Sequence, residues 1–396
     1  MIRWPLSSAL VALSLAAQPP DAAAQCDRVA VLDDYAARVT ATRTGRTEFG
    51  WTGDADSCVA GDISALAREN ALTRINYFRD RVGLGPVAYD GVLNARAQEA
   101  ALMMHAERSL SHTPGAGWAC YTADGALAAS RSNLALGAAG GEAVMAYMHD
   151  RGGGNEAVGH RRWILYSRAK TIGQGFTDYA DAMWVIGNNG PSTLTREYMA
   201  WPTPGVNPAP AVPQRWSFSM PGADFSAATV TMVDAFGDAS PVTVYDVRNG
   251  FGDNTIAWEV ARDVVYFAGG DASYTVTVGN VVSGGQARSY TYTVTVSNTN
   301  QTQDCGAGLA WSDGDCACVP AATSVREAWA AVGQLRGRVD VELYDLAGRR
   351  VARGADLAVA DLRVRELVGA LGTGVYVAVL RERATGRRAS VRVLSH

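Results

Sequence analysis

Two stretches, SLSHTPG (109–115) and AVGHRRWILYSRAKTIGQGF (157–176), decide how this chain reads. Between them lie the turn SNLALG (132–137) and the helix end MAYMHD (145–150). Of the five histidines in the chain, His112 and His160 fall in these two stretches, flanked by Ser, Gly or Arg. Pro114 and Gly115 break the chain just after His112. The run from Ser109 to Phe176 reads as one polar cleft on an otherwise well-packed domain.

Outward from that run the periodicity is helical. In ISALARENALTRINYFRDRVGL (63–84), Leu66, Leu72, Ile75, Phe78 and Val82 fall near one face, and Gly83 with Gly85-Pro86 ends the helix. The run GVLNARAQEAALMMHAERSL (91–110) places Leu93, Ala97, Ala101 and Met104 at near-helical spacing. A third helix is GEAVMAYMHD, with Val144, Tyr147 and Met148 on one side. The GGGN loop from Gly152 follows. A short fourth helix begins near His160, with Trp163, Ile164 and Leu165 as its packing side. Strand-like GQGF and AMWVIG come next, so the predicted fold is α+β with helices covering a sheet.

Composition shifts divide the rest. Residues 1–24 read as a secretory signal: Arg3, the apolar ALVALSLAA from Ala9, and Ala22-Ala23-Ala24 for cleavage. Residues 25–62 are a loosely structured lead-in and 63–200 the helical domain. WPTPGVNPAPAVP (201–213) reads as a stiff extended linker. From 214 to 300 the period becomes two, in RWSFSM, ATVTMV, VTVYDV, TIAWEV, SYTVTV and SYTYTVTV, as in an antiparallel β-sandwich of immunoglobulin-like size. A Cys-rich linker (301–322) and a small β module (323–396) complete the chain.

The 396 residues allow two or three domains, and 48% hydrophobic with 19% charged residues suits globular modules. A net charge of −4 gives no case for nucleic acid, and no later segment is apolar enough to span a membrane. The expected location is extracellular, secreted or at the cell surface. Six cysteines in an exported chain favour disulfides, and the preferred pair is Cys58–Cys120.

The candidate chemistry sits in the cleft. His112 follows a helix end and His160 stands at a helix start, where a neutral imidazole is favoured. Asp150 can act as a ligand or as the orienter of a histidine. Two imidazoles and a carboxylate suit zinc or another divalent metal, so His112, His160 and Asp150 form the candidate metal set. Ser132 could act as a nucleophile, but it lacks a GxSxG elbow and reads more simply as a cap or turn. His105 and His149 read as exposed helix residues.

The ordered landmarks SLSHTPG, SNLALG, VMAYMHD, GHRRWIL, IGQGF and AMWVIG, over roughly Ile63 to Asn189, resemble the CAP superfamily. That superfamily includes cysteine-rich secretory proteins, antigen five, plant pathogenesis-related proteins and many bacterial exported proteins. The resemblance implies an α-β-α sandwich with a cleft lined by two histidines and two acidic residues, able to hold zinc in several members. His112 and His160 take the histidine positions and Asp150 one acidic position. The family's Glu-Asn pair reads Ser132-Asn133 here, which removes a carboxylate. The tail, LYDLAGRRVA then GVYVAVL, resembles type IX secretion sorting domains, with a hairpin turn at Gly348.

These readings predict an exported binding module whose cleft (His112, Ser132, Asn133, Asp150, His160) takes a small ligand, lipid or surface polymer. The alternatives are a metal-assisted or serine-type hydrolase using the same cleft, and a purely structural adhesin.

Overall fold

The computed structural model describes residues 22–261, 264, 271–299, 309–312, 317–320, 335–345, 350–358, 374–386 and 388–395. The chain divides into two compact units, 28–301 and the two chain ends (1–27 with 302–396). The expected signal segment lies outside the described residues up to position 21, as do Cys305, Cys316 and the turn at Gly348.

Helix α1 (Ala22–Tyr35) continues as a π-helical turn, Ala36–Thr40. The lead-in is therefore structured. Its apolar residues Tyr35 and Val39 are buried, and the Tyr35 ring meets Tyr77 edge-on at 5.8 Å. Helix α2 (Ala65–Arg81) is capped by Ser64, whose Oγ accepts from Ala67 N. Ile75, Phe78 and Val82 pack inward as expected, but Leu66 is 63% exposed although Ile63 and Ala67 on either side are buried, because it stands about 100–140° round the helix from Ala67, Ala71 and Phe78. Then come β1 (Ala88–Tyr89), α3 (Gly91–Glu107), α4 (Ala123–Ala129), β2 (Ser132–Leu136), α5 (Gly141–His149), α6 (Gly159–Ile164), β3 (Thr171–Phe176) and β4 (Ala180–Trp184). The sequence reading missed α4, whose seven residues give too few turns for a period to show.

The sheet order is β1-β3-β4-β2, with β1 parallel to β3 and the other pairs antiparallel. Side chains alternate along β4. Ala180, Ala182 and Trp184 pack with α3 and α4, whereas Met183 and Val185 pack with α2 and α5. The result is three layers, helix on sheet on helix. Gly173 and Gly175 let α3 lie against β3, because a Cβ on Gly175 would stand 2.1 Å from Gln98 N. The Cys58–Cys120 disulfide is formed, closing a 62-residue separation across this domain.

Residues 201–213 are not a free linker. They supply β6 (Gly205–Pro208) and the end of β5 (Met199–Trp201), and Trp201, Ala211 and Val212 are buried. Pro202 and Pro204 lie between these short strands and Pro208 ends β6, positions at which a strand tolerates a missing N–H. The six alternating runs that follow are strands: β7 (Arg215–Ser219), β8 (Thr229–Asp234), β9 (Val242–Val244), β10 (Thr255–Val260), β11 (Ala272–Ser283) and β12 (Gln286–Ser297). They form two sheets, β5-β7-β10-β9 and β6-β12-β11-β8, with β6 parallel to β12. Trp216, Phe218 and Trp258 share one core with Val230, Val276 and Val294 of the facing sheet.

In the other unit, β13 (Leu309–Ser312) pairs with β14 (Ala317–Pro320). An antiparallel sheet of β15 (Arg338–Asp345), β16 (Arg350–Ala358), β17 (Gly374–Glu382) and β18 (Arg388–Ser395) has the order β16-β15-β17-β18. Val339, Val341, Leu343, Ala378 and Leu380 are buried in it.

Candidate functional site

A cleft of about 280 Å³ opens beside β2 and α6, lined by His112, Ser132, Asn133, His160, Trp163 and Phe251 among others. Each imidazole is fixed through Nδ1. His112 Nδ1 lies 2.9 Å from the Ala129 carbonyl at the end of α4, and His160 Nδ1 lies 2.7 Å from Asp150 Oδ1. A carbonyl and a carboxylate can only accept, so both Nδ1 atoms carry the hydrogen and Nε2 is the atom each ring can offer. His112 is exposed at the rim, while the His160 side chain is only a quarter exposed.

His160 is held by three neighbours. Asp150 grips Nδ1, Asn133 Nδ2 donates to the His160 carbonyl at 3.0 Å, and the Tyr147 ring stacks on the imidazole at 5.4 Å. Val158, just before α6, adopts a left-handed backbone at φ 47° while fully buried, an uncommon state for a β-branched residue. That turn aims His160 at Asp150. Asp150 itself ends α5 in the left-handed region. Its carboxylate also accepts from Arg161 N, and its carbonyl accepts from Arg215 of β7. Arg161 Nε donates to the Met148 carbonyl at 2.7 Å, capping α5.

Beneath these groups lies a second polar cluster. Asp181, on β4 and fully buried, accepts from Tyr147 Oη, Gln174 Nε2 and Gly140 N, each at 2.8–2.9 Å. Burial pushes its carboxyl up to about 7, against the three donors.

The sequence-predicted residues therefore gather at one place, with different tasks. Asp150 serves as the orienter of His160. Ser132 is 3% exposed, and its Oγ has no hydrogen-bond partner, so neither imidazole engages it as a base would. Among the described residues no group of three or more His, Cys, Asp or Glu side chains is placed to hold a metal ion. Besides the two imidazole nitrogens the cleft lining offers only neutral hydroxyl and amide oxygens, from Ser130, Ser132, Asn133 and Asn155. That falls one strong ligand short of catalytic zinc sites.

Two other histidines differ from expectation. His105 is buried, with Nδ1 2.9 Å from Thr177 Oγ1, and desolvation holds its imidazole below the usual range. His149 is half-buried against the Pro210 carbonyl, and burial with Arg151 and Arg161 nearby pulls it down to about 4. Both lie where α3 and α5 meet neighbouring segments that no helical period reveals. A larger cavity, about 440 Å³, lies between Tyr35, Arg74, Glu142 and His149. Its central charges already pair, Glu142 with Arg74 at 3.0 Å and with Arg43 at 3.3 Å, so it offers a ligand little.

Sequence reasoning missed Phe251 and Arg248 of the cleft lining and took Trp163 for core. The first two come from the β-sandwich, and nothing local to 245–254 signals a neighbour more than eighty residues upstream.

Helices lie on both faces of a short mixed sheet, with two positioned histidines at one end, the arrangement that the CAP resemblance implies. Residues 72–187 match the family model CAP, the cysteine-rich secretory protein family, which supports the CAP superfamily for that part of the chain. At family level this suggests a binding module of extracellular type. No curated protein matches the chain. Among the described residues no helix is long and apolar enough to cross a membrane.

Proposed function

We propose that this is an exported CAP-domain protein whose cleft binds a small ligand, a lipid or a surface polymer. The β-sandwich, of immunoglobulin-like size, and the C-terminal sheet would present it outside the cell, the last serving as a sorting-type module in a bacterial host. One observation carries the reading: His160 is held by Asp150, Asn133 and Tyr147, yet among the described residues no nucleophile is hydrogen-bonded to it. A fixed imidazole beside aromatic surface, with no activated hydroxyl, is equipment for recognition. A divalent ion would enter this cleft as part of a ligand, with the two imidazoles as its protein donors.

The second reading, a hydrolase, draws on the Asp150–His160 pair, which has the base-and-orienter form of a triad. One experiment separates the two. A panel of lipids, glycans and small acids is screened by thermal shift against the full chain and against His160→Ala and Trp163→Ala. The binding reading expects a ligand that stabilises the parent chain, by about 2.7 kcal/mol at a hundredfold excess over Kd, with that gain lost in both variants. Turnover of an ester or peptide that disappears in His112→Ala and His160→Ala would favour the hydrolase instead.

A further inference from the structure

One wall of the cleft is not made by the domain that carries the histidines. It comes from the loop 245–254, between β9 and β10 of the sandwich. That loop is fastened at two points. Arg162 donates to the Arg248 carbonyl at 2.6 Å and to the Asp253 carbonyl at 3.0 Å. The Asp253 carboxylate in turn accepts from Ser167 N at 2.8 Å and Ser167 Oγ at 3.0 Å. Between these anchors Phe251 lies under the Arg162 guanidinium, 5.4 Å from ring centre to charge. It also lies so close to Gly159 that a Cβ there would stand 3.0 Å from the ring. The wall is built, not brushed.

The Arg248 side chain is placed differently from its backbone. It is exposed on the cleft lining, and among the described residues it makes no hydrogen bond or ion pair. Its charge reaches Glu156, whose carboxyl is held low mainly by its own N–H and that of Gly154, with smaller effects from Arg215 and Arg248. Glu156 is not part of the lining, and no other Asp or Glu is. Ser132 Oγ, buried and unpartnered, borders the same space. So a guanidinium with no hydrogen-bonded or ion-paired partner among the described residues, and an unused hydroxyl, face a cavity whose other surface includes Trp163, Ile186 and Phe251.

We propose that the cleft is a two-domain site for a small amphiphile carrying one anionic group, a carboxylate or a phosphate. Arg248 binds the anion, and the aromatic wall takes the apolar body. The charge-assisted contact supplies orientation, and the hydrocarbon contact supplies area. This rests on the reading of the cleft as a recognition site.

The test is calorimetric titration of the full chain with octanoate, octyl phosphate and octanol, using the parent protein, Arg248→Ala, Arg248→Lys and Trp163→Ala. The loop anchor uses the Arg248 carbonyl, so removing the side chain leaves the fastening in place. The expected result is tighter binding of an anionic probe than of octanol, with affinity down roughly tenfold or more in Arg248→Ala. Arg248→Lys should keep most of it, and octanol should be indifferent to either change. Octanoate against octyl phosphate tells which head is preferred. Equal anion binding in parent and Arg248→Ala would overturn the proposal. If octanol alone binds, and is lost in Trp163→Ala, the anion assignment falls and the recognition cleft stands. If no probe binds, the amphiphile proposal falls, and the recognition cleft falls with it only when the panel of lipids, glycans and small acids also fails to stabilise the chain.

Discussion

At the scale of single residues, Asp181 is the most informative. A carboxyl with three good donors would ordinarily stay ionised at low pH, yet burial outweighs them and pushes it up to about 7. The unfolded chain ionises this group near 3.8, so unfolding releases a proton between about pH 4 and 7. The contribution is therefore complete below pH 4 and is lost as pH rises through about 7. A gap of roughly three units amounts to a few kcal/mol across that window. Denaturant titrations at pH 4, 5.5 and 7 should show the parent losing stability relative to Asp181→Asn as pH rises, the opposing slope from His149 being common to both proteins. An identical slope in both would mean that Asp181 is ionised throughout. Because Tyr147 bridges Asp181 and the His160 ring, the same variant reports on how firmly the cleft histidine is backed.

At the scale of elements, the contact between α3 and β3 sets the thickness of the helical layer. Gly173 would place a Cβ 2.5 Å from Leu93 backbone, and Gly175 would place one 2.1 Å from Gln98 backbone. These neighbours are main chain within a helix, and they cannot rotate away as a side chain could. Gly175→Ala should therefore cost about 3 kcal/mol or more, seen as a fall in the urea midpoint with little change in slope. A loss below 1 kcal/mol would show that α3 can slide outward. The same strand also carries Gln174, whose side chain takes the opposite face and bonds Asp181 at 2.8 Å. One strand thus serves packing on one side and the polar cluster on the other.

At the scale of the whole molecule, the seam between the helical domain and the sandwich joins an apolar contact, Phe78 against Trp201 at 5.1 Å, to buried polar ones. Arg161 reaches Ser217 Oγ at 3.0 Å, and Asp253 holds Ser167 by two hydrogen bonds. Asp253→Ala would leave the Ser167 donors without acceptors beside the buried Arg162, a loss of about 1–3 kcal/mol. Its local signature should be faster hydrogen exchange and proteolysis at 245–254, with the sheets themselves protected. Unchanged exchange there would mean that the Arg162 contacts alone fasten the loop.

The sequence by itself determined the longer helices, the sandwich strands and the gathering of the histidines, but not α1, α4 or β6. Its 3.6-residue period in 63–110 gave α2 and α3, its alternation after 214 gave six strands, and SLSHTPG with GHRRWIL marked His112 and His160 as partners. Hydrophobic period is a local property, so it survives in one dimension. Leu66 shows its limit, because the buried face begins with the small Ala67 and Ala71 and the larger apolar Leu66 beside them points away from it. Only the tertiary structure decided that 201–213 joins the sandwich, that Asp150 faces Nδ1 of His160, that Ser132 is left without a partner, and that a sandwich loop walls the cleft. Each of those depends on two segments far apart in the chain meeting at hydrogen-bond distance. Such meetings are fixed by packing and not by the composition of either segment.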